Sequence, residues 1–190
     1  MASVERFDRN ISLMKLDDTC MSSALFSLVS VTCMNRELTV APLLSADIII
    51  ISAKWQEGTI GQASSFVRAL DTHTKAKIYV VGSALFEDLS SFSFKTKNLN
   101  NDQDKISELA YRNQRFDRLR ISRNLAKSLG NQDRIGWIER QAFFCDDKLP
   151  RCNLFYNGLP LIWDNAHLTS RAFPLFGRYM YDSIDGLVEE

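Results

Sequence analysis

The sequence predicts an α/β domain built on a mostly parallel sheet, and three observations carry that prediction. Residues 46–55 hold Ile48, Ile49, Ile50 and Ile51 in succession. A run of β-branched residues without alternation suits a strand covered on both faces, as in the centre of a parallel sheet. Residues 76–82 form a second such run, and residues 60–70 between them place Ile60, Ala63, Val67 and Leu70 at helical spacing. A strand–helix–strand unit of about thirty residues implies a right-handed crossover and parallel strands. Third, the apolar residues 159–163 lead into Asp164 and His167, and a helical pattern begins straight after. In open α/β folds ligands collect at the carboxyl ends of strands.

The remaining elements follow in order. Residues 2–9 are charged and read as the tail of a helix, and residues 11–16 alternate as a short strand. Residues 21–36 read as an irregular loop or short helix tied by Cys20 and Cys33, and residues 37–44 as a helix approach or short extended piece broken at Pro42. Gly58 and Gly61 mark a loop, and residues 71–75 a polar turn. Residues 83–103 are loop-like, pinned by Phe86, Phe92 and Phe94. Residues 104–129 read as one long helix with Ile106, Leu109, Ala110, Phe116 and Leu125 on its inner face. Gly130 stops it, and its many charged residues form a solvated face. Residues 135–144 are a strand candidate and residues 145–152 a loop. Phe173, Phe176, Tyr179, Met180, Ile184 and Leu187 trace a closing helix from residue 170, which tolerates Pro174 in its first turn.

A chain of 190 residues is expected to form a single domain over residues 1–190. Lys+Arg and Asp+Glu are both 23, so the net charge is zero and no basic footprint points to nucleic acid or an anionic membrane. No apolar run approaches the roughly 20 residues that span a bilayer. Residues 1–9 lack an apolar signal-peptide core, so the chain taken by itself is expected to stay where it is made.

The four cysteines allow three pairings. The two local pairs, Cys20–Cys33 and Cys145–Cys152, are the simplest; composition alone favours four reduced, buried thiols. A zinc site from Cys145, Cys152 and His167 is a third option, with a spacing that matches no familiar pattern.

Only two histidines occur, and His73 sits in a polar stretch. His167 is therefore the first candidate for acid–base chemistry near neutral pH. Asp164 lies three residues before it, and a carboxylate that orients an imidazole is two thirds of a hydrolytic triad. The bland alternative is a pair that caps the last helix.

Three segments carry a family resemblance. They are 46–55, ending Ser52-Ala53-Lys54-Trp55; 77–82; and Cys145 and Cys152 followed by Asn157-Gly158 and Asp164-Asn165-Ala166-His167-Leu168-Thr169. Over roughly residues 15–182 the chain resembles the SGNH (GDSL-type) hydrolase domains fused to membrane acyltransferases that O-acetylate bacterial surface polysaccharides. The resemblance implies a flavodoxin-like three-layer α/β/α sandwich. It implies a Ser–His–Asp mechanism, with His167 as base and Asp164 as its orienting carboxylate, and neither metal nor organic cofactor. It implies an extracytoplasmic, periplasmic or membrane-attached setting, in which the two local disulfides become reasonable. The implied partners are a surface polysaccharide or acyl-glycan substrate and a membrane acyltransferase domain.

The chain departs from the family at the nucleophile and the oxyanion hole. No Gly-Asp-Ser occurs anywhere, and residues 11–16 look like the family's second strand. The first strand and its nucleophile are thus expected to be missing from an N-terminally incomplete chain, with the serine upstream of Met1 or on a partner. The oxyanion-hole Asn and Gly of the family are not evident. Loss of a central strand would leave an exposed edge. Ser52 lies inside a strand expected to be buried, while Ser83 follows Gly82 at a strand end and is the one stand-in of the right kind. Lys54 could lend positive charge. Trp55 and Trp163 read as packing residues rather than sugar platforms. The expected function is an SGNH-type esterase or O-acyltransferase domain for a surface glycan, with a non-catalytic glycan- or acyltransferase-binding module as the alternative.

Overall fold

The computed structural model describes residues 11–12, 45–53, 55–86, 102–164 and 166–184. The expectations for residues 2–9, 13–16, 21–44 and 87–101, for Cys20 and Cys33, and for Lys54 and Leu187 lie outside them.

Strands β1 (Ile11–Ser12), β2 (Ile48–Ser52), β3 (Lys77–Val81) and β4 (Ile135–Ile138) form one sheet in that order. Pairing is parallel from β1 to β2 and from β2 to β3, with Ile11 opposite Ile48 and Ile48 opposite Lys77. The N–H groups of Ile78 and Gly82 donate to the carbonyls of Arg134 and Ile138, so β4 advances in the same sense. Helix α1 (Ile60–His73) supplies the crossover between β2 and β3. This is the parallel α/β arrangement that the isoleucine run requires, because both of its faces need cover.

The chain forms two compact units, residues 1–81 with 124–137 and residues 82–123 with 138–190. In the first unit, Ala63, Phe66, Val67 and Leu70 of α1 are buried, as are Ile48, Ile49, Ile51, Ile78, Val80 and Val81 of the sheet. Residues 71–73, expected as turn, instead complete α1. Thr72 Oγ1 bonds back to the Ala69 carbonyl, and Thr74 N–H and Oγ1 both donate to the Leu70 carbonyl. Arg134 then caps the helix end, donating to the carbonyls of Thr74 and Asp71 and pairing with the Asp71 carboxylate. Trp55 is a packing residue as expected: it is buried and its indole N–H donates to the Val81 carbonyl at 2.8 Å.

Gly136 on β4 permits a close approach. A Cβ there would stand 2.5 Å from two ring atoms of Tyr79, which is itself buried on β3. Gly136→Ala is therefore expected to cost about 1–3 kcal/mol through overpacking. Urea unfolding reads this as a lower midpoint at constant slope; an unmoved midpoint would mean that the ring yields freely.

The second unit contains α2 (Gln103–Arg112), most of α3 (Phe116–Leu129), α4 (Arg140–Phe144) and α5 (Ala172–Ser183). The expected single helix over 104–129 is two. Asn113 ends α2, its side-chain amide donating to the Leu109 carbonyl at 2.6 Å. Arg115 N–H turns away to the Leu85 carbonyl, and Gln114 bridges Phe86. Phe116, at the start of α3, is exposed, whereas Leu125 is fully buried as expected. Gly130 ends α3 in the left-handed region, with φ 69°. Residues 135–144 are likewise not one strand: Glu139 caps α4 by accepting the Gln141 N–H, so only β4 stays extended. Pro174 lies in the first turn of α5, where Ala172 and Phe176 are buried and Phe173 is exposed.

Candidate functional site

The second unit carries the Asp–His segment just after two short antiparallel hairpins. Strands β5 (Cys145–Asp146) and β6 (Arg151–Cys152) pair where a loop was expected, and the disulfide joining Cys145 to Cys152 is one of the two local pairings the sequence offered. Strands β7 (Phe155–Tyr156) and β8 (Leu159–Pro160) form a hairpin. Its turn is Asn157-Gly158, both at positive φ, the dipeptide that a two-residue hairpin favours. The middle segment is held on both sides: Leu161 N–H donates to the Leu154 carbonyl and Thr169 N–H to the Leu161 carbonyl. Leu154, Leu161 and Ile162 are buried in one cluster with Cys145, Cys152, Phe86 and Phe144. This apolar underside anchors the segment and leaves its next turn facing solvent.

That turn is closed by Trp163 N–H to the His167 carbonyl at 3.1 Å and by the Ile162–Leu168 bridge. Inside it, Asp164 Oδ1 accepts the N–H groups of Ala166 (2.7 Å) and His167 (2.6 Å). Asp164 Oδ2 lies 2.5 Å from His167 Nδ1. A carboxylate acceptor dictates a proton on Nδ1, which makes Nε2 the basic nitrogen. Nε2 has no partner among the described residues, and the His167 side chain is 69% exposed. Burial pushes the Asp164 carboxyl up, but the two N–H groups and the imidazole outweigh it and hold the carboxyl below its ordinary range. A depressed folded value means that the turn's stabilisation is complete at neutral pH and is lost as pH falls through that value.

Asp164 and His167 are thus brought together, with Nδ1 on the carboxylate and Nε2 facing solvent. The other candidates differ from expectation. Ser52 is not buried: it is exposed at the carboxyl end of β2. Ser83 does lie two residues past the end of β3, but it is only 7% exposed, and its N–H donates to Ser122 Oγ. Trp163 is not a packing residue. It is 67% exposed and its ring stacks beside that of His167, with centroids 5.6 Å apart at 28°. The zinc option fails because Cys145 and Cys152 spend their sulfurs on each other, and so does the reading of them as reduced thiols. Among the described residues no cluster of His, Cys, Asp and Glu could hold a metal, and no helix is long and apolar enough to cross a membrane.

Arg140 escaped the sequence reading, and no local pattern marks it. Its Nη2 donates to the Ala166 carbonyl at 2.6 Å, and its guanidinium lies over the Phe176 ring at 5.7 Å. The Asn157-Gly158 dipeptide, by contrast, was a legible hairpin signal.

No curated protein and no solved structure matches the chain. A family model does: the SGNH domain fused to AT3 domains matches residues 9–179, a span that includes the parallel sheet, the disulfide hairpin and the Asp–His turn. That family's fold is the flavodoxin-like α/β fold, and its domains are of the hydrolase, acyl-modifying kind. With the match running through nearly its whole length, the chain belongs to the family of SGNH domains fused to AT3 domains.

Proposed function

We propose that this chain is a single domain of the serine-esterase or O-acyltransferase type, acting on acyl groups of a cell-surface polysaccharide. His167 is the general base and Asp164 its orienting carboxylate. The observation that carries this reading is the 2.5 Å contact between Asp164 Oδ2 and His167 Nδ1, which leaves Nε2 open to solvent. In the reaction Nε2 takes the serine proton as Oγ attacks the ester carbonyl. It then returns that proton to the leaving sugar oxygen, and an acyl-serine remains. Water or a sugar hydroxyl resolves the acyl-enzyme, giving hydrolysis or transfer. The chemistry asks for no metal or organic cofactor. The Cys145–Cys152 disulfide supports an oxidising, extracytoplasmic setting, and the AT3 fusion of the family supports a membrane acyltransferase partner.

The absence of any Gly-Asp-Ser favours a second reading, a catalytically silent module that binds the glycan or the acyltransferase. A fluorophosphonate probe separates the two. Covalent labelling of one serine, lost on heat denaturation, is expected for the enzyme, and peptide mapping locates the nucleophile. Labelling no greater than in the denatured chain would leave the binding module and an esterase whose serine is supplied from outside these residues, which labelling of the chain together with its acyltransferase partner then separates.

A further inference from the structure

The dyad alone does not explain Arg140. Its guanidinium is largely removed from water and, among the described residues, no carboxylate pairs with it; burial pulls its pKa down. Its Nε is buried and has no acceptor there. A cation in such a place costs stability unless it holds something. The one hydrogen bond the guanidinium makes in the described structure is to the Ala166 carbonyl, at 2.6 Å.

That carbonyl belongs to the peptide unit joining Ala166 to His167. The N–H of the same unit donates to Asp164 Oδ1 at 2.6 Å. One peptide plane is therefore gripped at both ends, its oxygen by a cation and its N–H by an anion. The plane sets the direction in which His167 Cα presents its side chain. A cationic donor on the oxygen also polarises the amide and strengthens its N–H bond to the carboxylate. Phe176 of α5 supports the guanidinium from the ring side, and Tyr179 Oη donates to the Glu139 carbonyl at 2.7 Å, tying the start of α4 to the same helix.

We propose that Arg140 is a positioning residue for the general base: it clamps the Ala166–His167 peptide and so fixes where Nε2 points. This inference rests on the reading of His167 as a base. Lysine is a poor substitute, because it lacks the planar fork that reaches a carbonyl while stacking on a ring.

The test uses the full chain with Arg140→Gln, Arg140→Lys and Arg140→Ala, each checked for folding by circular dichroism. Misaligning a base by about 1 Å costs on the order of 10²-fold. All three variants are therefore expected to lose turnover by about that factor at nearly unchanged KM. Methylguanidinium is expected to restore the alanine variant, which a general loss of packing would not allow. A readout independent of turnover is the His167 backbone N–H and imidazole N–H in NMR spectra. Faster exchange of both is expected in the Gln and Lys variants, whether or not the chain hydrolyses esters. Folded variants with unaltered exchange would overturn the clamp. If exchange quickens while His167→Ala leaves turnover untouched, the clamp holds the turn but positions no base, and the inference falls together with the reading it rests on.

Discussion

Ester hydrolysis is expected to fall about 10²–10⁴-fold when His167 becomes alanine, the range a positioned general base supplies. The comparison is p-nitrophenyl acetate turnover by this chain and by His167→Ala, both purified identically. The other histidine, His73, ends α1, where Nδ1 sits 2.7 Å from the Ala69 carbonyl. Asp164→Asn is expected to come close to the same loss. The amide oxygen can still receive the Ala166 and His167 N–H groups, so the turn is retained. An amide on the imidazole side, however, no longer enforces the proton on Nδ1, and the wrong tautomer has no base to offer. The double variant should be little worse than either single one, because the two residues act as a unit. Equal turnover by parent and His167→Ala would remove the dyad from the chemistry and favour the binding module.

The second large effect lies in the cross-link beneath the site. Cys145 and Cys152 are seven residues apart, and closing so short a loop stabilises by about 2.5 kcal/mol through chain entropy alone. Replacing both by alanine is therefore expected to lower the melting temperature by about 5–10 °C. Both sulfurs sit in the cluster that holds Leu154, Leu161 and Ile162, and Ile162 directly precedes the Trp163–His167 turn. The loss should thus reach the site, as weaker exchange protection at Leu161 and Thr169. A melt that does not shift, under oxidising conditions, would show that the apolar cluster suffices without the bond.

How much of this was legible in the sequence depends on the range of the interaction involved. The isoleucine run and its partner at residues 76–82 announced a covered parallel sheet, because β-branched residues without alternation have few other homes. Helix α1 and the Gly130 stop were written in local spacing and backbone freedom. Asp164 and His167 were legible as a pair because three residues separate them, and a turn can close that distance. The breaks at Asn113 and Glu139 were not legible: apolar spacing continues across both, and the hydrogen bonds that divert the chain reach back to Leu85 or arise only once a cap forms. Phe116, Phe173 and Trp163 looked like core and are exposed, since apolar character does not say which face a neighbour covers.

The sequence by itself determined the class of fold, the family and the pairing of Asp164 with His167, all of which rest on contacts between near neighbours or on motifs read in order. Only the tertiary structure decided what holds the dyad in place. Arg140 stands 26 residues before Ala166, and that partnership does not exist until the chain has brought the two ends together; the Cys145–Cys152 pair, one of the local pairings the sequence left open, was selected only when the hairpin set the two cysteines opposite each other.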